Sequence, residues 1–255
     1  MALKIDLVPV LSDNYSYLIY DEGSKKAAVV DPGEAGPLLV AAQERGLSIE
    51  HILITHHHGD HVQGVGEIVA ATGCKVTGPS YEADKISGLT ETVKEGDSLE
   101  VLGEKTEICH VPGHTQGHIA FWIPSASALF SGDSLFVLGC GRLFEGGPQD
   151  MWPALQKLRE LPDETQVFCG HEYTLANAKF CATIEQQNAA LDKRIAEIEN
   201  LRSRDLPTIP STIAIEKSTN PFMRADHSSV AESLGMAGAA SVEVFAEVRS
   251  RKDSF

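Results

Sequence analysis

Between Lys4 and about Cys169, short runs of β-branched and aromatic residues alternate with turns marked by glycine and proline. Lys4–Val10, Tyr15–Tyr20 and Ala27–Val30 read as strands, the last two joined through the hairpin-type turn Asp21-Glu22-Gly23. Leu38–Arg45 has helical spacing and stops at Gly46; Val62–Ala71 has it too and stops at Gly73. Between these helices, His51–Ile54 is an apolar run of buried-strand character. Lys75–Thr77, Thr106–Val111, Ile119–Ile123, Ala128–Phe130 and Gln166–Cys169 complete the strand set. Hairpins mixed with strand–helix–strand units predict α+β architecture, with mixed sheets covered by helices. Past Tyr173 the strand pattern fades. Leu191, Ile195, Ile198 and Leu201 recur at helical spacing until Pro207 and Pro210, and a second helical stretch covers Ser241–Arg251. The pattern divides the chain into a β-rich domain, residues 1–172, and a smaller helical domain, residues 173–255.

Of the 255 residues, 42% are hydrophobic, enough to bury a core without disulfide staples. The five cysteines are scattered, with no CxxC pair, as reduced thiols are. Asp6 and Pro9 interrupt the first residues before a signal-peptide core can form, and no run approaches the roughly 18 apolar residues of a membrane span. A cytoplasmic location is therefore expected. Lys and Arg total 21 against 36 Asp and Glu, a net charge of −15. Such a field repels phosphate backbones and anionic lipid, so neither nucleic acid nor membrane is an expected partner. An anionic small molecule needs a local basic patch, and Arg249, Arg251 and Lys252 form one near the C-terminus.

Composition places about 0.24 histidine in a six-residue window, yet His56-His57-His58-Gly59-Asp60-His61 holds four, with an aspartate. The cluster follows an apolar strand, at the carboxyl end where open sheets place ligands. An extended segment turns residues 56, 58 and 60 to one side, with His61 following at the turn into a helix. Neutral imidazoles and carboxylates without cysteine are the donors of catalytic Zn²⁺ or Fe²⁺ sites. Three later strands also end in glycine-containing turns that carry a histidine or aspartate. These are Pro112-Gly113-His114, Ser131-Gly132-Asp133 and Cys169-Gly170-His171. His57, which alternates to the opposite side, and His118 read as supporting residues; His51, His110 and His227 lack ligand-like context. Cys140 and Cys169 read as small buried hydrophobes.

Thr55-His56-His57-His58-Gly59-Asp60-His61 matches the THxHxDH signature of the metallo-β-lactamase superfamily. Within it, Leu138–Gly146, Gly170-His171-Glu172-Tyr173-Thr174, Asn220–Arg224 and Arg249–Asp253 resemble glyoxalase II, the hydroxyacylglutathione hydrolases, over essentially the whole chain. The resemblance implies an αββα metallo-β-lactamase sandwich followed by a helical, substrate-binding domain. It implies one metal held by His56, His58 and His114, a second by Asp60, His61 and His171, and Asp133 bridging both. The expected cofactors are two divalent ions, zinc first, with iron or manganese as alternatives. The activity implied is hydrolysis of S-D-lactoylglutathione and related 2-hydroxyacylglutathiones to D-lactate and glutathione, by attack of a metal-bridging hydroxide. Asp60 and Asp133 would tune the metals and orient that hydroxide. Arg142, Phe144, Tyr173, Arg249 and Lys252 would receive the glutathione thioester, with Arg249 and Lys252 on the glycine carboxylate. Phe144 stands where some family members carry tyrosine, and Gly147 where threonine is more usual. A monomer is expected. The competing reading on the same fold is a glutathione persulfide dioxygenase, which uses one iron and lacks the long helical C-terminal domain.

Overall fold

The computed structural model describes residues 3–255 and divides them by backbone contacts into two compact units. One comprises residues 3–110 with Gly117–Gly132, the other Val111–Gln116 with Asp133–Phe255.

The first unit opens with an antiparallel pair, β1 (Lys4–Val10) and β2 (Asn14–Tyr20), to which β3 (Lys26–Val30) adds as the second hairpin arm. Helix α1 (Ala35–Glu44) then crosses over, so β4 (Ser48–Leu53) joins β3 in parallel. A single helical turn, α2 (Gly59–Val62), and α3 (Val65–Thr72) make the next crossover. They lead to β5 (Lys75–Pro79) and, beside it, β6 (Glu91–Val93), both parallel to their neighbours. The sheet order is therefore β1-β2-β3-β4-β5-β6. Leu38 of α1 and Ile68 of α3 bury against Leu18, Val29, Ile52 and Val76, forming the core on one face. β2 is buried along its whole length, so its opposite face is covered as well. There the antiparallel strands β7 (Ser98–Val101), β8 (Glu104–His110), β9 (Ile119–Ile123) and β10 (Ala128–Gly132) form a second layer, and Tyr17 sits 5.4 Å from Phe130.

The second unit begins with a two-stranded ribbon, β11 (Leu135–Phe136) and β12 (Gly139–Cys140). Next come α4 (Pro148–Arg159), β13 (Gln166–Cys169), α5 (Thr174–Ile184) and α6 (Ala189–Arg202). β14 (Ser211–Thr212) pairs antiparallel with β13, and α7 (Ile213–Thr219), α8 (Ser228–Ser233) and α9 (Ser241–Asp253) follow. The helical regime past Tyr173 is borne out, with one two-residue strand inside it. Helix α4 lies where the sequence pattern assigns no element, because Pro148 and Pro153 obscure it. Pro148 occupies the first helical position, where no N–H is needed. Met151, Leu155 and Leu158 then turn one buried stripe inward despite Pro153. No helix among the described residues is long and apolar enough to cross a membrane, and all five cysteines carry reduced thiols.

His51 shows how a histidine can serve the core rather than a metal. Thr77 Oγ1 donates to Glu91 Oε2 at 3.0 Å, so it accepts from His51 Nε2 at 2.7 Å, which fixes the Nε2–H tautomer. Burial, and then the charge of Lys75, holds the ring's pKa down to about 4 from 6.5. Unfolding releases the ring to take up a proton. The stabilisation is thus complete above about pH 6.5 and is lost as pH falls from there toward 4, by about 2 kcal/mol at pH 5. Urea unfolding of His51→Asn at pH 7 and pH 5 should show a fall in stability smaller than the native protein's by about that amount. An identical fall in both proteins would contradict a buried neutral ring.

Candidate metal centre

Each unit carries its own set of histidine and aspartate side chains suited to metal binding at the ends of its strands. In the first unit, the chain leaves β4 through Ile54 and Thr55 and stays extended to His58 (φ −61°, ψ 143°). It then winds into α2, so Asp60 and His61 lie on a helical turn. The expected period-two alignment of residues 56, 58 and 60 therefore stops at 58, because Gly59 starts the helix. Asp60 is nevertheless held in place: Asn14 Nδ2 donates to its Oδ2 at 2.8 Å. His56 lies 4.7 Å from His58 and 4.2 Å from His61, ring centre to ring centre, and His118 stacks on it at 4.6 Å.

Asp31, which the sequence pattern does not single out, organises this half. Its Oδ1 accepts from Thr55 N at 2.8 Å, and its Oδ2 accepts from Thr55 Oγ1 at 2.7 Å and faces His61 Nδ1 at 3.0 Å. Donor atoms of Asp31, His56 and His61 all lie within 4.8 Å of one another. With both Asp31 oxygens engaged, we read it as the residue that orients His61 and not as a ligand. The carboxylate accepts from Nδ1–H, which in the neutral ring leaves the lone pair on Nε2, facing Asp60 Oδ2 at 3.6 Å. Glu82 has a parallel task. Buried, it accepts from His57 N at 2.8 Å and Gly117 N at 3.0 Å and faces His57 Nδ1 at 2.9 Å, so His57 supports the loop. His51 and His110 have other partners, Thr77 and the ring of Tyr81.

In the second unit, His114, Asp133 and His171 converge. Asp133 Oδ2 lies 3.4 Å from His114 Nε2 and 3.3 Å from His171 Nε2. His114 Nδ1 sits 2.9 Å from the carbonyl of Arg142, which can only accept. The ring is therefore protonated at Nδ1, and in its neutral form the Nε2 lone pair faces a carboxylate oxygen. In that form the two acceptors repel unless a proton or a metal ion lies between them. The spacing also fits: metal bonds of about 2.0–2.1 Å at tetrahedral angles put neighbouring donor atoms about 3.3–3.4 Å apart. Hydrogen bonds between such atoms are shorter, about 2.7–3.2 Å. The donor set and its spacing thus suit divalent ions.

Beside these ligands, the ring of Tyr173 stacks on His171 at 4.6 Å and Phe144 lies 5.3 Å from His114. Tyr173, Phe144 and Arg142 are all exposed. Lys252 is half-buried, over the rings of Phe180 and Phe255. Arg249, expected among the substrate contacts, is buried. It donates through Nη1 to the Cys140 carbonyl at 2.9 Å and through Nε to Asp253 Oδ1 at 3.1 Å. Burial also raises the thiol pKa of Cys140, to about 11, and of Cys169, which keeps both protonated as inert core residues. His227 caps α8.

Residues 11–171 match the metallo-beta-lactamase superfamily, and residues 172–255 match the hydroxyacylglutathione hydrolase C-terminus. The hydroxyacylglutathione hydrolase of Methylococcus capsulatus is 50% identical over 253 residues, covering 99% of both chains. This chain belongs to the hydroxyacylglutathione hydrolase family. The enzyme of that name from Rhodospirillum rubrum is 49% identical over 254 residues, covering 100% of this chain and 99% of its own. Among solved structures, ETHE1 from Myxococcus xanthus superposes with a TM-score of 0.69 at 26% identity, covering 98% of this chain and 90% of that one. The metallo-β-lactamase fold with a helical C-terminal segment, expected from the sequence, is borne out.

Asp31→Ala removes the acceptor that fixes the His61 tautomer. It should weaken zinc binding by about 10–100-fold in chelator competition. An unchanged affinity would show that His61 orients without it.

Proposed function

We propose that this member of the hydroxyacylglutathione hydrolase family hydrolyses 2-hydroxyacyl thioesters of glutathione, S-D-lactoylglutathione foremost, at a centre of seven ligands. His56, His58 and His114 would hold one divalent ion and Asp60, His61 and His171 a second, with Asp133 shared. The observation that carries this reading is the approach of two imidazole nitrogens to one oxygen of Asp133. When bound, two such ions supply Lewis acidity, polarising a carbonyl and lowering the pKa of water to about 7. Zinc leads as the metal, and the same donors serve iron and manganese.

The reaction adds water across the thioester. A C–O bond forms at the carbonyl carbon, the C–S bond breaks, and D-lactate and the glutathione thiolate leave with two protons passing to solvent. The chain's own residues set the stage for this. Asp60, steadied by Asn14, and Asp133 supply negative charge that fixes the ions and orients the attacking water. Asp31 and the Arg142 carbonyl hold the rings of His61 and His114 by their Nδ1 atoms. The exposed side chains Arg142, Phe144 and Tyr173, with Lys252, receive the peptide part of the substrate. Phe144 offers a ring face and no hydroxyl. Lys252 is the cation for the glycine carboxylate, and Arg249 stands behind it. In this reading residues 1–172 carry the chemistry and residues 173–255 bind the substrate together with Arg142 and Phe144, in a monomer working in the cytoplasm.

Loss of thioester absorbance on S-D-lactoylglutathione, with metal content measured on the same sample, tests the proposal. Rapid hydrolysis with close to two metals per chain, abolished by chelation, is the expected result. Asp133→Ala should lose metal and turnover together, while Lys252→Ala should mainly raise KM. Oxygen uptake with glutathione persulfide and one iron per chain would overturn the hydrolase reading in favour of a dioxygenase.

A further inference from the structure

The buried Arg249 raises a question that substrate binding does not answer. Its helix, α9, lies more than a hundred residues along the chain from Cys140, whose carbonyl its Nη1 reaches at 2.9 Å. The guanidinium also lies over the ring of Phe222 at 5.2 Å, and Nη2 meets Asp253 Oδ1 at 2.8 Å. Cys140 ends β12, and two residues later the Arg142 carbonyl accepts from His114 Nδ1. Between them Gly141 passes so close that a methyl group there would collide with the Asp133 carbonyl and sit 3.0 Å from His114 Nδ1. Gly141 N also donates to the Ser134 carbonyl at 3.2 Å. Residues 140–142 are thus a strap laid against two proposed metal ligands, with little room to shift.

Other side chains hold the ribbon's turn ahead of this strap. Asn177 Nδ2 donates to the Val137 carbonyl, Asn220 Nδ2 donates to those of Phe136 and Gly139, and Glu216 accepts from Leu138 N. Arg249 holds the following carbonyl, the one nearest the His114 contact. A planar fork can grip a carbonyl with one nitrogen and a carboxylate with two others; an ammonium cannot reproduce that arrangement.

We infer that Arg249 is a positioning residue for the metal centre: it fixes the Cys140–Arg142 strap, and through the Arg142 carbonyl the ring of His114. The inference rests on the proposed role of His114 as a ligand. It assigns the C-terminal helix a part in metal retention, separate from any part in holding glutathione.

The test uses full-length holoenzyme carrying Arg249→Gln, Arg249→Lys or, as comparator, Lys252→Ala. Zinc affinity is measured by chelator competition. Turnover is measured on S-D-lactoylglutathione and on the lactoyl thioester of 2-mercaptoethanol, which lacks the glycine carboxylate. Arg249→Gln should weaken zinc binding by about 10–100-fold and lose activity by the same factor on both thioesters, with Arg249→Lys recovering part of it. Lys252→Ala should retain zinc and lose activity on the glutathione thioester alone. Asp253→Ala, at an exposed position, covers the case in which Arg249→Gln does not fold; it should weaken zinc binding in the same direction by a smaller factor. Native zinc affinity in the folded variants, with a loss confined to the glutathione thioester, would overturn the inference and make Arg249 a substrate clamp. Failure of the native protein itself to bind zinc would instead strike the ligand assignment on which the inference rests.

Discussion

The structure depends on one electrostatic demand, that negative oxygen and imidazole lone pairs be held facing one another at about 3.3–3.6 Å. With neutral imidazoles such an arrangement is unfavourable, and a metal ion or a proton between the groups reverses its sign. The surrounding fold is organised to keep them there. Asp31 and the Arg142 carbonyl accept from the Nδ1–H groups of His61 and His114, Asn14 holds Asp60, and glycines at 117 and 141 let loops approach where any side chain would collide. These partners fix ring orientation before an ion arrives, so the ordering entropy is lost in folding and not in binding.

Much of this is legible in the sequence because metal ligands must be of few types and sit at strand ends. His56, His58, His114, Asp133 and His171 each follow a strand that the hydrophobic pattern marks. The support behind them is not legible. Asp31 acts on Thr55 and His61, and Glu82 on His57 and Gly117, across 24 to 35 residues of chain. Nothing local distinguishes these carboxylates from others; only the parallel register of β3 with β4 brings Asp31 beside Thr55. The pattern identifies Asp60 but not its backbone, since a four-residue helical turn is too short to show periodicity. Prolines hide helix α4, although its buried stripe is plain once the register is known.

The C-terminal helix shows how a charge run can mislead. Arg249, Arg251 and Lys252 look alike in sequence, yet they divide between interior and surface. Arg249 points inward to a carbonyl, a carboxylate and an aromatic ring, Arg251 forms an exposed pair with Glu247, and Lys252 lies across Phe180 and Phe255. Against a net charge of −15, the cations that remain at the surface beside the candidate centre gain weight as receptors for an anionic substrate. The membership of residues 172–255 in the hydroxyacylglutathione hydrolase C-terminus fits that division of labour.

The most direct test of the central claim is anomalous scattering from a crystal of the zinc-loaded protein. The account predicts two zinc peaks flanking Asp133, one bonded to the Nε2 atoms of His56 and His114 and the other to those of His61 and His171. A single peak, or a peak bonded to Asp31 in place of Asp60, would contradict it.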